Sequence, residues 1–167
     1  VIHYADNFPR KSIGVVSLSG QQQDAIESAL TTLRNDRPDL DHYFNEEDRL
    51  DGFFVKNLES VQGDERDVII LSVGYGPAVD GKFTLNFGPV STGDGWKRLN
   101  VAITRAREKV DVIASFDPAQ ADASRLNSKG GRDLIRYLEY AKSGISALAI
   151  EDEDDTEHET ESPFEDE

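Results

Sequence analysis

Asp67-Val68-Ile69-Ile70-Leu71-Ser72-Val73-Gly74 is the stretch that decides the fold. Its apolar residues run without alternation and are mostly β-branched, the pattern of a strand covered on both faces. Toward the N-terminus, Ile13-Gly14-Val15-Val16-Ser17-Leu18 reads as a second buried strand and Phe53-Phe54-Val55 as a short third. Toward the C-terminus, Val110-Asp111-Val112-Ile113-Ala114 reads as a fourth. Helical spacing falls between and after them. Gly20 to Arg34 carries Ile26, Leu30 and Leu33 on one face, Trp96 to Arg107 reads as a second helix, and Asp133 to Lys142 as a third, stopped by Gly144. Six Gly and Pro between residues 75 and 93 mark a loop. Alternating strands and helices predict an α/β domain with a mostly parallel sheet and helices on both faces. Ligands of such sheets are expected beyond the carboxyl ends of the strands.

The 167 residues amount to about one domain, and their formal charge is −15, from 33 acidic and 18 basic residues. A surface that grips nucleic acid throughout needs clustered Lys and Arg, so this balance excludes it. The acidity is local, however. Eleven Asp and Glu and no Lys or Arg lie in 151–167, which leaves 22 acids against 18 bases in residues 1–150. A confined basic site remains compatible with that near-balance. The segment 147–167 is expected to be a disordered acidic linker. Cysteine is absent, which excludes disulfides, thiolate nucleophiles and Cys-based metal sites, and His3, His42 and His158 have no ligand spacing, so no metal site is expected. No apolar run reaches the roughly 18 residues that span a bilayer, and no leader is evident, so the chain reads as soluble, cytoplasmic and without a membrane partner. It begins at Val1 and contains no Met, which reads as a piece excised from a longer protein.

Two stretches offer chemistry. On the helix expected over Trp96 to Arg107, Leu99, Ala102, Ile103 and Ala106 form an apolar stripe, and Arg98 and Arg105 lie about 20° apart on one flank. Such guanidinium groups suit planar, bidentate contact with phosphate; the same pattern also fits a solvated basic edge paired with Glu108 and other acids. The other stretch is Gln62-Gly63-Asp64-Glu65-Arg66-Asp67. Gly63 permits a tight turn, and Glu65 offers a carboxylate for ribose hydroxyls; the alternative is a charged surface turn.

Taken in order, Val61-Gln62-Gly63-Asp64-Glu65-Arg66-Asp67-Val68-Ile69-Ile70-Leu71-Ser72 resembles motif V of superfamily 1 helicases, and Arg98-Leu99-Asn100-Val101-Ala102-Ile103-Thr104-Arg105-Ala106-Arg107 resembles motif VI. The wording is closest to the Upf-like, 5′-to-3′ branch, and residues 13–26 are similar to the motif IV region. The resemblance covers residues 10 to about 116 and implies that residues 1–146 are the second RecA-like domain of a large bacterial helicase. No Walker A sequence G-x-x-x-x-G-K-[ST] occurs in the chain. The resemblance therefore implies that ATP and Mg²⁺ serve the full-length protein, with the Mg²⁺ ligands on a first RecA-like domain, and that this chain alone does not hydrolyse ATP.

On the same resemblance Arg105 matches the arginine finger on the γ-phosphate and is the implied catalytic residue. Glu65 matches the ribose contact, Gln62 and Gly63 the turn near the γ-phosphate, and Arg98 and Arg107 accompany them as ATP-binding candidates. Ser17, Ser19 and Asn57 match strand-end positions that touch the phosphates of single-stranded DNA or RNA; ordinary loop capping would explain the same residues. Asp64 departs from relatives that carry a basic or neutral residue there. Ser162-Pro163-Phe164-Glu165-Asp166-Glu167 resembles the start of an endonuclease-like domain that follows such motors, and equally reads as an acidic tail. A non-catalytic nucleic-acid or protein docking module derived from a helicase domain is the alternative function.

Overall fold

The computed structural model describes residues 1–44, 51–78, 80–81 and 83–147. Four strands, β1 (Ile13–Ser17), β2 (Phe54–Asn57), β3 (Arg66–Val73) and β4 (Ala106–Ala114), form one sheet in the order β2-β1-β3-β4. Every neighbouring pair is parallel, with Gly14 opposite Phe54, Ile13 opposite Val68 and Ser17 opposite Ser72. The stretch that decided the fold occupies an interior position, and its Ile69 and Leu71 are fully buried.

The pleat sends alternate residues to opposite faces. Val16, Leu18, Ile69, Leu71 and Val73 join the larger core beneath α4 (Gly95–Ile103) and α5 (Lys129–Ser143), which contribute Leu99, Ala102, Leu134, Ile135 and Leu138. Ile13, Val15, Val68 and Ile70 face a smaller core closed by Ala5 of α1 (Ile2–Asn7), Leu40, and Tyr43 of α3 (Asp41–Phe44). Between α1 and α3 in the chain, α2 (Gly20–Asp36) buries no residue fully, and its Ile26 packs half-buried against this second core. Tyr4 of α1 also donates its hydroxyl to Asp111 on β4, tying the N-terminal helix to the edge strand.

The connection from β2 to β3 departs from the βαβ expectation. It has eight residues, 58–65, and no helix, where a parallel crossover usually takes a dozen or more. Leu58 and Val61 are buried in the larger core and cover the sheet where a helix otherwise would. Gly63, at φ +90, turns the chain toward β3.

The helix expected over Trp96 to Arg107 stops at Ile103. Thr104 N–H closes on the Asn100 carbonyl at 3.0 Å and Arg105 N–H on Ala102 at 3.3 Å, and Ala106 already pairs with Arg66 in the sheet. Pairing with β3 thus overrides the helical propensity of Ala-Arg, and the shared flank expected for Arg98 and Arg105 does not exist. The last helix begins at Lys129, four residues before the expected start, because Ser128 caps it by accepting from Gly131 N–H at 3.1 Å. Among the described residues no helix is long and apolar enough to cross a membrane. Beyond Ala147 the acidic segment, with Ser162 to Glu167, lies outside the described residues.

Candidate functional site

The two motif stretches meet at the amino ends of β3 and β4. The Arg66 N–H donates to the Arg105 carbonyl at 3.0 Å, so the residue before each strand is brought beside the other. Around that bond Glu65 Oε1 lies 3.9 Å from Arg105 Nη1, and Glu65 Oε2 lies 3.7 Å from Arg107 Nε. These separations exceed hydrogen-bond lengths, and such partly exposed pairs contribute at most about 1 kcal/mol each. A polyanion can therefore displace them at little cost. Arg105 is steadied from behind, its Nε donating to the Val101 carbonyl at 3.1 Å. Gln62 and Gly63 lie exposed on the crossover just ahead of Glu65. Asp64 turns aside to pair with Lys56 of β2 at 2.6 Å, so the acid at this position is neutralised by the neighbouring strand.

Two residues outside the sequence expectation organise this edge. Arg66 is 7% exposed. Its Nε donates to the Gly52 carbonyl at 2.7 Å, its Nη1 to the Glu65 carbonyl at 2.6 Å, and its guanidinium lies 4.7 Å from the Phe54 ring centroid. Burial holds its pKa below the ordinary arginine value. An Arg-Asp pair at the head of an unbroken apolar strand was the signal in the sequence. Arg66→Ala leaves two carbonyls without donors and should cost about 2–3 kcal/mol, read as a lower urea midpoint with unchanged slope. Asp67 is the other organiser: Oδ2 accepts the Ser12 N–H at 2.9 Å, and Oδ1 lies 3.8 Å from Arg107 Nη1. The Ser12 amide, with the charges of Lys11 and Arg107, holds its pKa below the usual carboxylate value. Its contribution to stability is thus present above the ordinary carboxylate range and is lost as pH falls through the lowered value.

Arg98 sits apart on α4, donating from Nη1 to the Pro89 carbonyl at 3.3 Å. Ser17, Ser19 and Asn57 gather at the opposite, carboxyl ends of β1 and β2. Ser17 is fully buried and donates to the Ser19 carbonyl at 2.9 Å. Ser19 caps α2 by accepting from Gln22 N–H, and Asn57 accepts from Glu59 N–H at 2.9 Å while donating to Gln23 at 2.8 Å. Gln22 reaches across to donate to Ser72 at 2.8 Å, a link the sequence reading did not make. Of the candidates, only Ser17, Ser19 and Asn57 stand where the rule about carboxyl ends places ligand-facing residues. Glu65 and Arg105 occupy the amino ends because each directly precedes its strand, and Arg107 is the second residue of β4.

A cleft of about 700 Å³ between β4 and α5, lined by Val110, Val112, Phe116, Tyr137 and Leu138 among others, includes none of the motif residues. Among the described residues no cluster of three or more His, Asp or Glu could hold a metal ion. What the amino-end cluster can do is specific: two guanidinium groups suit phosphate oxygens, and the exposed carboxylate between them suits a vicinal diol.

The AAA domain family matches residues 2–117. Over 137 residues, 80% of the chain, it is 36% identical to proteins named as uncharacterized ATP-dependent helicases in Mycoplasma pneumoniae and Mycoplasma genitalium. The chain spans 12% of the length of each. The chain belongs to the AAA domain family, as a helicase-type domain with the RecA-like α/β fold of P-loop NTPases.

Proposed function

We propose that this chain is the C-terminal motor domain of an ATP-dependent superfamily 1 helicase or translocase of the Upf-like branch, working in the cytoplasm of a bacterium. The observation that carries the reading is the gathering of Arg105, Arg107 and Glu65 at one edge by the pairing of β3 with β4. Arg105 acts as the arginine finger toward the γ-phosphate, where a positive charge offsets the charge that develops during transfer. Glu65 accepts from the ribose hydroxyls, and Gln62 and Gly63 line the turn beside the phosphates. Arg107 adds charge at the rim, and Arg98, tied to Pro89, steadies α4. Bound ATP with Mg²⁺ supplies the scissile phosphoanhydride; the residues that would hold the ion belong to a first RecA-like domain of the same protein. At the carboxyl edge Ser19, Asn57 and the backbone around the buried Ser17 contribute to the track for single-stranded DNA or RNA. An endonuclease-like domain after the acidic segment completes the proposed arrangement.

The full-length protein tests this. ATP hydrolysis should rise when single-stranded DNA or RNA is added, and duplexes with a 5′ overhang should be separated in preference to those with a 3′ overhang. Nucleic acid bound without any rise in hydrolysis overturns the motor reading in favour of a docking module.

A further inference from the structure

The amino ends of β1, β3 and β4 carry a line of charged side chains whose middle member, Asp67, the proposed roles leave unused. Asp67 and Ser12 exchange two hydrogen bonds. Ser12 N–H donates to Asp67 Oδ2 at 2.9 Å, and Asp67 N–H donates to Ser12 Oγ at 2.9 Å. Ser12 is 8% exposed, so the carboxylate is clamped to the sheet interior. Its Oδ1 faces Arg107 Nη1 at 3.8 Å, Arg107 Nε faces Glu65 Oε2 at 3.7 Å, and Glu65 Oε1 faces Arg105 Nη1 at 3.9 Å. Lys11, next to Ser12, is occupied by Glu108 on β4. Arg107 is thus divided between one clamped carboxylate and one exposed carboxylate.

We infer that Asp67 is a positioning residue that sets the ribose selectivity of the site by holding Arg107 back from Glu65. The inference rests on the nucleotide reading above. An arginine offered a single carboxylate closes on it as a two-pronged fork and occupies both oxygens. With Asp67 charged, Arg107 is shared, and Glu65 keeps acceptor capacity for a diol. With Asp67 neutral, Arg107 closes on Glu65, and the diol loses its acceptor. Arg105 is held by the Val101 carbonyl on the far side and stays in place.

Steady-state hydrolysis by the full-length protein, with ATP, 2′-deoxy-ATP and 3′-deoxy-ATP, tests this. The wild type should show a higher KM for the deoxy nucleotides. Asp67→Asn should raise KM for ATP about 2- to 5-fold, the scale of a partly exposed ion pair, leave kcat unchanged, and bring the ratio of deoxy-ATP to ATP KM values toward one. Adding Arg107→Gln to Asp67→Asn should restore the ratio, because nothing then captures Glu65. Glu65→Gln separates the two failures. If it leaves the ratio unchanged, or if the wild type shows no selectivity, the nucleotide reading falls. If it collapses the ratio while Asp67→Asn keeps the wild-type ratio, this inference alone falls. An Asp67→Asn variant that loses kcat and thermal midpoint together at wild-type selectivity reduces Asp67 to a structural clamp and overturns the inference as well.

Discussion

Arg105→Ala in the full-length protein is expected to lower nucleic-acid-stimulated ATP hydrolysis by about 10³-fold or more while leaving nucleotide affinity and folding nearly intact. Affinity survives because most contacts with the nucleotide come from elsewhere, so the loss concentrates in the step where charge develops on the phosphate. Folding survives because Arg105 makes little of the structure. Its side chain has one 3.1 Å hydrogen bond to the Val101 carbonyl, a 3.4 Å contact with the Thr104 hydroxyl and a 3.9 Å ion pair, together worth about 1–2 kcal/mol. Its backbone carbonyl, which accepts from Arg66, remains in the variant. Arg105→Lys should recover little, since an ammonium is a point charge and lacks the planar fork. Single-turnover hydrolysis set beside equilibrium binding of a labelled nucleotide measures both quantities; turnover at the wild-type rate contradicts the assignment.

A second large effect is expected in stability, from Gly130→Ala. The N-termini of α4 and α5 meet at the 3-10 turn Gly88–Ser91. A Cβ built on Gly130 would stand 2.0 Å from the Val90 carbonyl oxygen and 3.0 Å from the Trp96 nitrogen, and one on Gly95 would stand 2.1 Å from the same Val90 oxygen. The obstacles are backbone atoms, so relief requires the helices to part and to loosen Leu99, Leu134 and Val90 together. The cost should be about 3 kcal/mol, or roughly 10 °C in thermal midpoint for a domain of this size. Gly20→Ala is the matched control: nothing lies within 4 Å of its Cβ position, so the midpoint should hold or rise slightly. Equal midpoints for the two variants contradict the close approach.

The same contact explains why the start of α5 was illegible in the sequence. Gly130 and Gly131 read as helix breakers, and only the neighbour they must admit makes them necessary in the first turn. β3 was legible because an unbroken β-branched run carries its own signature whatever surrounds it, and the other three strands showed as shorter apolar runs, β4 only in its second half. The end of α4 was not. Arg105-Ala106-Arg107 continues a helix by propensity, and the bond from Arg66 to the Arg105 carbonyl that draws the chain into the sheet comes from a residue almost forty positions earlier. The two motif stretches could be picked out one by one, while the end of the sheet they occupy could not: a general rule about carboxyl ends pointed one way, and the register of β3 against β4 placed Glu65 and Arg105 at the other. Arg66, Ser12 and Asp67 were hidden for a related reason, since a charged residue beside a strand looks solvated until its partners are in place.

The helix-free link between β2 and β3 joins those two edges mechanically. Asn57 stands level with Ser17, while Arg66 precedes Val68, the partner of Ile13. The chain must therefore travel back about six strand residues and across two strand spacings, roughly 22 Å. Its eight linking residues reach about 30 Å when drawn out fully, and turns at both ends use up much of the difference. A helix in this place could pivot or unwind a turn and absorb a shift; a short strut seated by Leu58 and Val61 has no such give. A displacement of more than a few Å at Asn57 must unseat those two side chains or carry Glu65 along with it, so a load taken up at one edge of the sheet is delivered to the other.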